Sequence, residues 1–500
     1  MKKTMLALLC GLLPMGMSAQ TFEMNDEAPN NPNNEPRPCH PVPSERQILW
    51  NETEFYAFYH YGMNTFTGKE WGNGDEQESL YNPLGKPDPE QWVTSVKAAG
   101  MRGGIAVVKH HDGFCLWPTS TTEHNITKGS GAYHNTNIAD EFAKASKKHK
   151  MKYGFYVSPW DCNSIHYGTD KYVTDVFLKQ CEELATYGSD QFEMWFDGAN
   201  GGKGYYGGRN TNVSVDASIY YDIPNLRAKV HTIAPNCVMW GVGNEARWIG
   251  NEAGYSGVTC WAMGDRESGD INGWYWHPGE SDAKATSGGW FWHSGETMKS
   301  SDLLFKTYLE TVGRNATFIL NCPPNNYGIL PDATVNELKA LGQKLHDRLG
   351  LDVYGITTPG ATDYAKTATI TANEERTGGN YQASLVADGN KDTYWAVNDE
   401  SHTGEITFEW DAQKTIRYVV LQEPIRLGQR VKDFKIEYST DGNSWTELAS
   451  GITTTIGYKR IIPLNGDTAN SYGTGYKAKK LRISITDSRA CPLISNINIF

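Results

Sequence analysis

Six short apolar runs, at 55–61, 104–109, 153–157, 191–196, 237–242 and 316–320, alternate with helical periods through the first 350 residues of the chain. Ile138, Phe142 and Ala145 fall on one helical face, as do Val173, Phe177, Cys181 and Leu184, and again Leu304, Tyr308 and Val312. Parallel strands need a crossover between them, so a strand–helix–strand rhythm of this length predicts a parallel sheet with helices packed on it. Its size suits a (β/α)8-like barrel. Polar residues favour that closure over a doubly wound sheet: His60, Lys109-His110-His111, Ser158-Pro159-Trp160-Asp161, Asp197 and Asn321 each stand at or just past the C-terminal end of a run. No G-x-G-x-x-G follows the first run, which argues against a dinucleotide site.

Thr334 and Glu337 read as a capping box for a last helix, with Val335, Leu338 and Leu345 on one face, ending near Leu349. Beyond Gly350 the period changes from 3.6 to 2. Short alternating runs at 383–387, 405–410, 416–421, 434–438 and 480–485, with a turn at Asp441-Gly442-Asn443, predict an all-β sandwich. The expected organisation is therefore a signal peptide at 1–19, an extended, poorly ordered lead-in at 20–43, a barrel at 44–350 and a β-sandwich at 357–500.

The leader carries Lys2 and Lys3, an apolar run from Met5 to Leu13 and small residues up to Ala19, the pattern of a secretory signal. Export to a periplasm is the expectation, with an outer-membrane lipoprotein acylated on Cys10 or a secreted protein as alternatives. Later stretches fall short of a transmembrane segment. The eight remaining cysteines show no C-x-x-C pair and read as mostly buried thiols. A net charge of −12 gives nucleic acid no electrostatic foothold. By contrast, 16 Trp, 27 Tyr and 16 Phe exceed what cores need in a polar chain and suit a ligand with apolar faces and polar edges.

Asp197 ends the run QFEMWFDG, two positions past Trp195 and on the same strand face, placed as a nucleophile or base, or merely as a chain-turning Asp-Gly. Adjacent His110 and His111 would point to opposite faces of a strand, and no H-x-x-H or H-E-x-x-H accompanies them, so ligand hydroxyls suit them better than a metal. Glu245 and Glu252 bracket an Arg-Trp just past the fifth run. Trp274, Trp276, Trp290 and Trp292, with Glu280 among them, read as a loop walling a cleft. Carboxylates on different strand ends beside many rings fit glycoside hydrolysis, which needs one acid and one carboxylate at the anomeric carbon.

Six segments, FYHYGMNTFTGKEW, KHHDGFCLWPT, GFYVSPWD, MWFDGA, RWIGNEAG and VGRNATFILNCPPN, in this order over 44–350, resemble the α-L-fucosidases of glycoside hydrolase family 29. The resemblance implies a retaining exo-enzyme that needs no cofactor and acts on fucosylated glycans. It implies Asp197 as nucleophile and Glu252 as acid/base of the α-1,3/1,4-selective branch, with Glu245 and, more distantly, Glu280 as rivals. His60, Trp71, His110, His111 and Tyr156 would bind the fucose hydroxyls, Glu70 would support them, and Trp195 would shape the pocket. ESDAKATSGGW lacks the arginine usual in that branch. A catalytically silent glycan-binding barrel and a metal-dependent hydrolase using His60, His110 and His111 stand as alternatives.

The tail runs ASLVADGNKDTYW, ITFEWDAQKTIRYVVLQE, KIEYSTDGNSWTEL and ISNINIF resemble a discoidin-like, factor 5/8 type C domain. That resemblance implies a structural calcium at Asp388, Asn390, Asp392 and Thr393, although Asn496 stands where an acidic residue is expected. Trp395 and Trp445 are open to either a core or a platform role.

Overall fold

The computed structural model describes residues 33–448, 451–464 and 473–500. The proposed signal peptide and the first part of the lead-in lie outside them.

Eight parallel strands form the N-terminal sheet: β1 (Phe55–Tyr59), β2 (Gly103–Lys109), β3 (Lys152–Val157), β4 (Glu193–Trp195), β5 (Val238–Met239), β6 (Arg247–Trp248), β7 (Gly279–Lys284) and β8 (Ala316–Asn321). Their spatial order is β5-β4-β3-β2-β1-β8-β7-β6, so the two sheet ends are neighbours in sequence. A single parallel bridge, Trp240 to Ala246, joins them and curls the sheet into a barrel-like body. Every residue of β1, β2 and β8 is buried, as expected of strands covered on both faces. Helices α1 (Pro89–Lys97), α2 (Ile138–Lys148), α3 (Leu178–Ala185), α4 (Ile223–Ile233), α5 (Ser301–Thr311) and α6 (Asp332–Leu349) surround it.

Three expectations change. β6 and β7 replace what reads as loop, and no α-helix separates β5 from β6 or β6 from β7. At the last helix there is no capping box: Pro331 precedes it, and Glu337 Oε2 instead accepts a hydrogen bond from Ser301 N of α5 at 2.6 Å. Residues Ala383–Ala387 form a 3-10 turn rather than a strand.

The C-terminal body is antiparallel. Five strands run in the order Thr369–Ala372, Gly404–Ile416, Tyr476–Ser488, Val431–Ser439 and Thr446–Glu447; three more run Arg460–Pro463, Tyr418–Gln422 and Asn496–Ile499. Trp395 is buried in the core between the sheets, whereas half-buried Trp445 lies under Arg482. The sandwich is seated on the barrel by backbone pairing, Asn315 N to Lys459 O and Ile461 N to Gly313 O, and Ile461 enters the barrel's own core.

The described part of the lead-in is not loose. Asn34 Nδ2 donates to Thr377 O, Cys39 N to Leu427 O, and Arg430 reaches Arg37 O, so this segment is tied to the sandwich before the chain enters the barrel. All eight cysteines of the described chain are free thiols, seven of them buried.

In the proposed calcium loop, Asp388 Oδ1 accepts from Asn390 N, its Oδ2 from Thr393 Oγ1, and Asn390 Oδ1 from Asp392 N. Lys391 bridges Asp392 to Glu52 of the barrel. These oxygens accept from donors of the loop itself.

Candidate active site

The C-terminal ends of the strands surround a cavity of about 150 Å³, on the scale of a single sugar ring. Its lining includes His60, Trp71, His110, Tyr156, Trp195, Asp197 and Glu252. With Asp282, three carboxyl groups from different parts of the strand order thus open into one space. Phe58, Trp240, Trp248, Asp282 and Trp290 complete the lining.

β4 builds the Asp197 side of the cavity. Glu193, Trp195 and Asp197 alternate along one strand face, so Asp197 stands at the mouth with Trp195 behind it. Trp195 stacks on Trp240 at 3.6 Å between ring centroids and on Tyr156 at 5.3 Å. Asp197 Oδ1 accepts from Gly198 N at 2.7 Å, and Oδ2 accepts from Tyr156 Oη at 3.4 Å. Desolvation in the cavity raises the Asp197 pKa and these two donors oppose it. Gly198 is required here: its φ is +67°, and a Cβ would stand 2.5 Å from His111 Cε1.

The register shifts between Val107 and Lys109 at the end of β2, a local irregularity that ends the strict alternation; His110 lines the cavity, whereas His111 is buried beside it and is not part of the lining. His110 and His111 lie 4.1 Å apart between ring centroids rather than on opposite faces, and His110 is parallel to Tyr156. Ser158 Oγ donates to Trp160 O, so His111 Nδ1 must donate to Ser158 Oγ, at 2.7 Å. Its Nε2 remains an acceptor, 3.9 Å from Asp197 Oδ2. Asn321 Nδ2 donates to Trp290 O, which turns Asn321 Oδ1 toward His60 Nδ1 at 2.8 Å and leaves His60 Nε2 as an acceptor too. Burial, more than any neighbour, pushes His60 and His111 down to about 3, and His110 well below the ordinary imidazole range. Three neutral rings suit sugar hydroxyls.

Beneath His111, the Lys109 ammonium pairs with Asp161 at 2.8 Å, both buried, and holds the strand end in place. Glu70 accepts from Trp290 N at 2.6 Å and meets His293 Nε2 at 2.7 Å. It acts through Trp290, not within the cavity. Trp71 is 63% exposed and sets its edge on His111 and Trp160.

Glu252 is exposed at the rim on the segment after β6. The bridge Ala253 to Ala283 lays this segment against β7. Gly254 permits the approach, because a Cβ there would stand 2.8 Å from Ala283 Cβ. Glu245, the rival from sequence, points away: it is buried, with Oε1 3.1 Å from Arg46, and Oε2 accepting from Met239 N and 3.6 Å from His231. Glu280, the more distant rival, is buried below Trp195 and does not line the cavity.

Asp282 was not anticipated. It follows Glu280 by two positions on the inward face of β7 and accepts from Trp248 Nε1 at 2.7 Å. Burial, with the charges of Glu280 and Glu252, pushes its carboxyl up to about 8. The signal was available in the alternation Glu280, Asp282, Lys284. The tryptophan loop is only partly what it seemed. Trp290 lines the cavity, but Trp276 is buried beside Trp261 and Met263, and neither Trp274 nor Trp292 is part of the lining.

A barrel whose strand ends gather three carboxyl groups, neutral imidazoles and stacked indoles around a ring-sized cavity defines a carbohydrate-cleaving enzyme. Residues 42–348 match the family model "Alpha-L-fucosidase", and residues 369–497 match "F5/8 type C domain". The chain belongs to the α-L-fucosidases of glycoside hydrolase family 29 and carries a C-terminal F5/8 type C domain. It is 29% identical to Alpha-L-fucosidase 1 of Arabidopsis thaliana, over 93% of this chain and 89% of the relative. Among solved structures, a glycoside hydrolase 29 family member from an unknown rumen bacterium aligns with TM-score 0.77 and 33% identity, covering 93% of this chain and 78% of that one. A Ruminococcus gnavus GH29 fucosidase in complex with fucose aligns with TM-score 0.78 and 29% identity, over 94% and 97%.

Proposed function

We propose that this α-L-fucosidase is a retaining exo-enzyme, with Asp197 as nucleophile and Glu252 as acid/base. The observation that carries the assignment is that these two carboxyl groups line the same ring-sized cavity while Glu245 is turned into an ion pair behind it. In the first step an Asp197 oxygen bonds to the anomeric carbon as the glycosidic C–O bond breaks, and Glu252 gives its proton to the departing oxygen. In the second, Glu252 takes a proton from water, the water oxygen bonds to the same carbon, and the bond to Asp197 breaks.

His60, His110 and His111 accept hydrogen bonds from fucose hydroxyls, Tyr156 steadies Asp197, and Trp195 floors the pocket. Trp248 and Asp282, beside Glu252, wall the side from which the leaving sugar departs. The GNE sequence around Glu252 supports α-1,3/1,4-linked branched glycans as substrates. The chemistry runs on carboxyl groups alone, and the loop 388–393 is stabilised by its own hydrogen bonds. Export to the periplasm follows from the leader sequence.

The test is hydrolysis of Lewis-a or Lewis-x trisaccharide beside an aryl fucoside by wild type, Asp197→Ala and Glu252→Ala, each with and without EDTA. Trisaccharide cleavage lost in both variants and indifferent to EDTA supports the reading; full activity of Asp197→Ala, or EDTA inhibition with the fold intact, overturns it.

A further inference from the structure

The barrel interior holds two carboxyl groups that the proposed reaction does not use. Glu193 and Glu280, from β4 and β7, are fully buried and close enough that each acts on the other's ionisation. The groups acting on them are Trp50, Tyr56 and Trp195, with no cation among them. Trp50 Nε1 donates to Glu193 Oε2 at 2.9 Å, Trp195 Nε1 donates to Glu280 Oε1 at 2.5 Å, and Tyr56 Oη donates to Glu280 Oε2 and lies 3.2 Å from Thr317 Oγ1. Glu193 Oε1 meets no donor from the protein.

Two carboxylates facing each other in a dry interior without a counter-charge do not both ionise. A proton between them resolves the conflict and also explains the unmatched oxygen, since Glu193 Oε1 then becomes the donor. Glu280, with indole, phenol and carboxyl donors around it, keeps the negative charge. Burial raises both carboxyl groups above the ordinary range, Glu193 further because it faces the Glu280 charge.

We propose that Glu193 and Glu280 are a one-proton carboxyl pair, protonated on Glu193 and anionic on Glu280, that positions Trp195 as the floor of the sugar pocket. The pair lies at the deep end of the face on which Trp195 and Asp197 follow Glu193. Its charge-assisted bond to the Trp195 indole sets the depth of the Trp240–Trp195–Tyr156 stack, and Tyr156 carries that setting to Asp197. Both residues are positioning residues. The inference rests on reading the cavity above Trp195 as the fucose site.

The location of the proton makes the two amide substitutions unequal. In Glu193→Gln the amide N–H replaces the acid proton as donor to Glu280, so L-fucose affinity stays within about twofold of wild type. In Glu280→Gln the indole loses a charged acceptor for a neutral one, a difference of about 1 kcal/mol, or about fivefold weaker L-fucose binding. Because the floor touches substrate and transition state alike, KM rises with it while kcat holds. Asp282 also holds a proton at neutral pH, so the infrared readout is a difference spectrum: ligand-free wild type minus Glu193→Gln should leave one protonated-carboxyl C=O band that shifts in D2O. Equal losses in the two variants, a fall in kcat with unchanged KM, or no such band in the difference spectrum overturns the proposal. Failure of wild type to bind L-fucose overturns the pocket reading instead, and the infrared band still decides the pair.

Discussion

Two glutamates seven residues apart, Glu245 and Glu252, are rival candidates in the sequence, and the structure gives them different surroundings. Truncating Glu245 to alanine removes a buried carboxylate that holds Arg46, His231 and the Met239 N–H. The Met239 amide is left without a partner in the interior, at about 1–3 kcal/mol. The Arg46 side chain is 28% exposed and regains water, so the lost ion pair adds only about 0.5–1 kcal/mol. The total is about 2–4 kcal/mol. With an unfolding entropy of about 2.1 cal/mol/K per residue, a chain of this length loses about 2–4 °C in Tm. Residual activity per folded molecule stays near wild type. Glu252→Ala removes an exposed side chain, so its stability changes by about 0.5 kcal/mol at most. Its turnover of a trisaccharide falls by about 10²–10⁴, the usual contribution of a positioned acid/base. Differential scanning calorimetry read beside initial rates, with and without azide as external nucleophile, separates the two. Azide restores turnover of an activated aryl fucoside in Glu252→Ala only. An unchanged Tm with an azide-rescued rate in Glu245→Ala would refute the assignment.

Other expectations follow from the same geometry. The folded Asp282 keeps its proton up to about pH 8, whereas the unfolded chain releases it in the ordinary carboxyl range, so wild type loses stability as pH rises across that window; the Tm of Asp282→Asn falls less between its two ends. The depressed pKa values of His60, His110 and His111 keep these rings neutral at physiological pH, so their imidazole C–H resonances do not titrate between about pH 5 and 8 by NMR. Glu70→Ala frees Trp290 N and His293, and loss of one charge-assisted bond weakens L-fucose binding by about tenfold in calorimetry, with Tm nearly unchanged.

Legibility of the fold followed burial. β1, β2, β3 and β8 read clearly because strands covered on both faces carry continuous apolar runs. β7 did not, because its inward positions hold Glu280, Asp282 and Lys284, the reverse of the pattern that marks a strand. Glu280 is buried in the barrel interior and Asp282 lines the cavity, so polar residues at the site hid the element that carries them. β6 is two residues long and had no pattern to show. Thr334 and Glu337 had the spacing of a capping box, but Glu337 is taken by the neighbouring helix, a tertiary choice that local sequence does not encode. Of the site, Asp197, His60, His110 and Tyr156 were legible as polar residues at strand ends or through family motifs. The family motif favoured Glu252 with Glu245 as rival; that Glu245 is held by Arg46, nearly two hundred residues away in the chain, is a tertiary contact local sequence does not encode.

The proposed double displacement requires Asp197 to become covalently bonded to fucose. Incubation with a 2-deoxy-2-fluoro-fucosyl fluoride, which slows release of the intermediate, followed by intact-mass measurement and peptide mapping, tests it most directly. One sugar adduct per chain is expected, on the peptide containing Asp197 and absent from Asp197→Ala. An adduct on Glu252 or Asp282, or turnover of the reagent by Asp197→Ala at the wild-type rate, would contradict it.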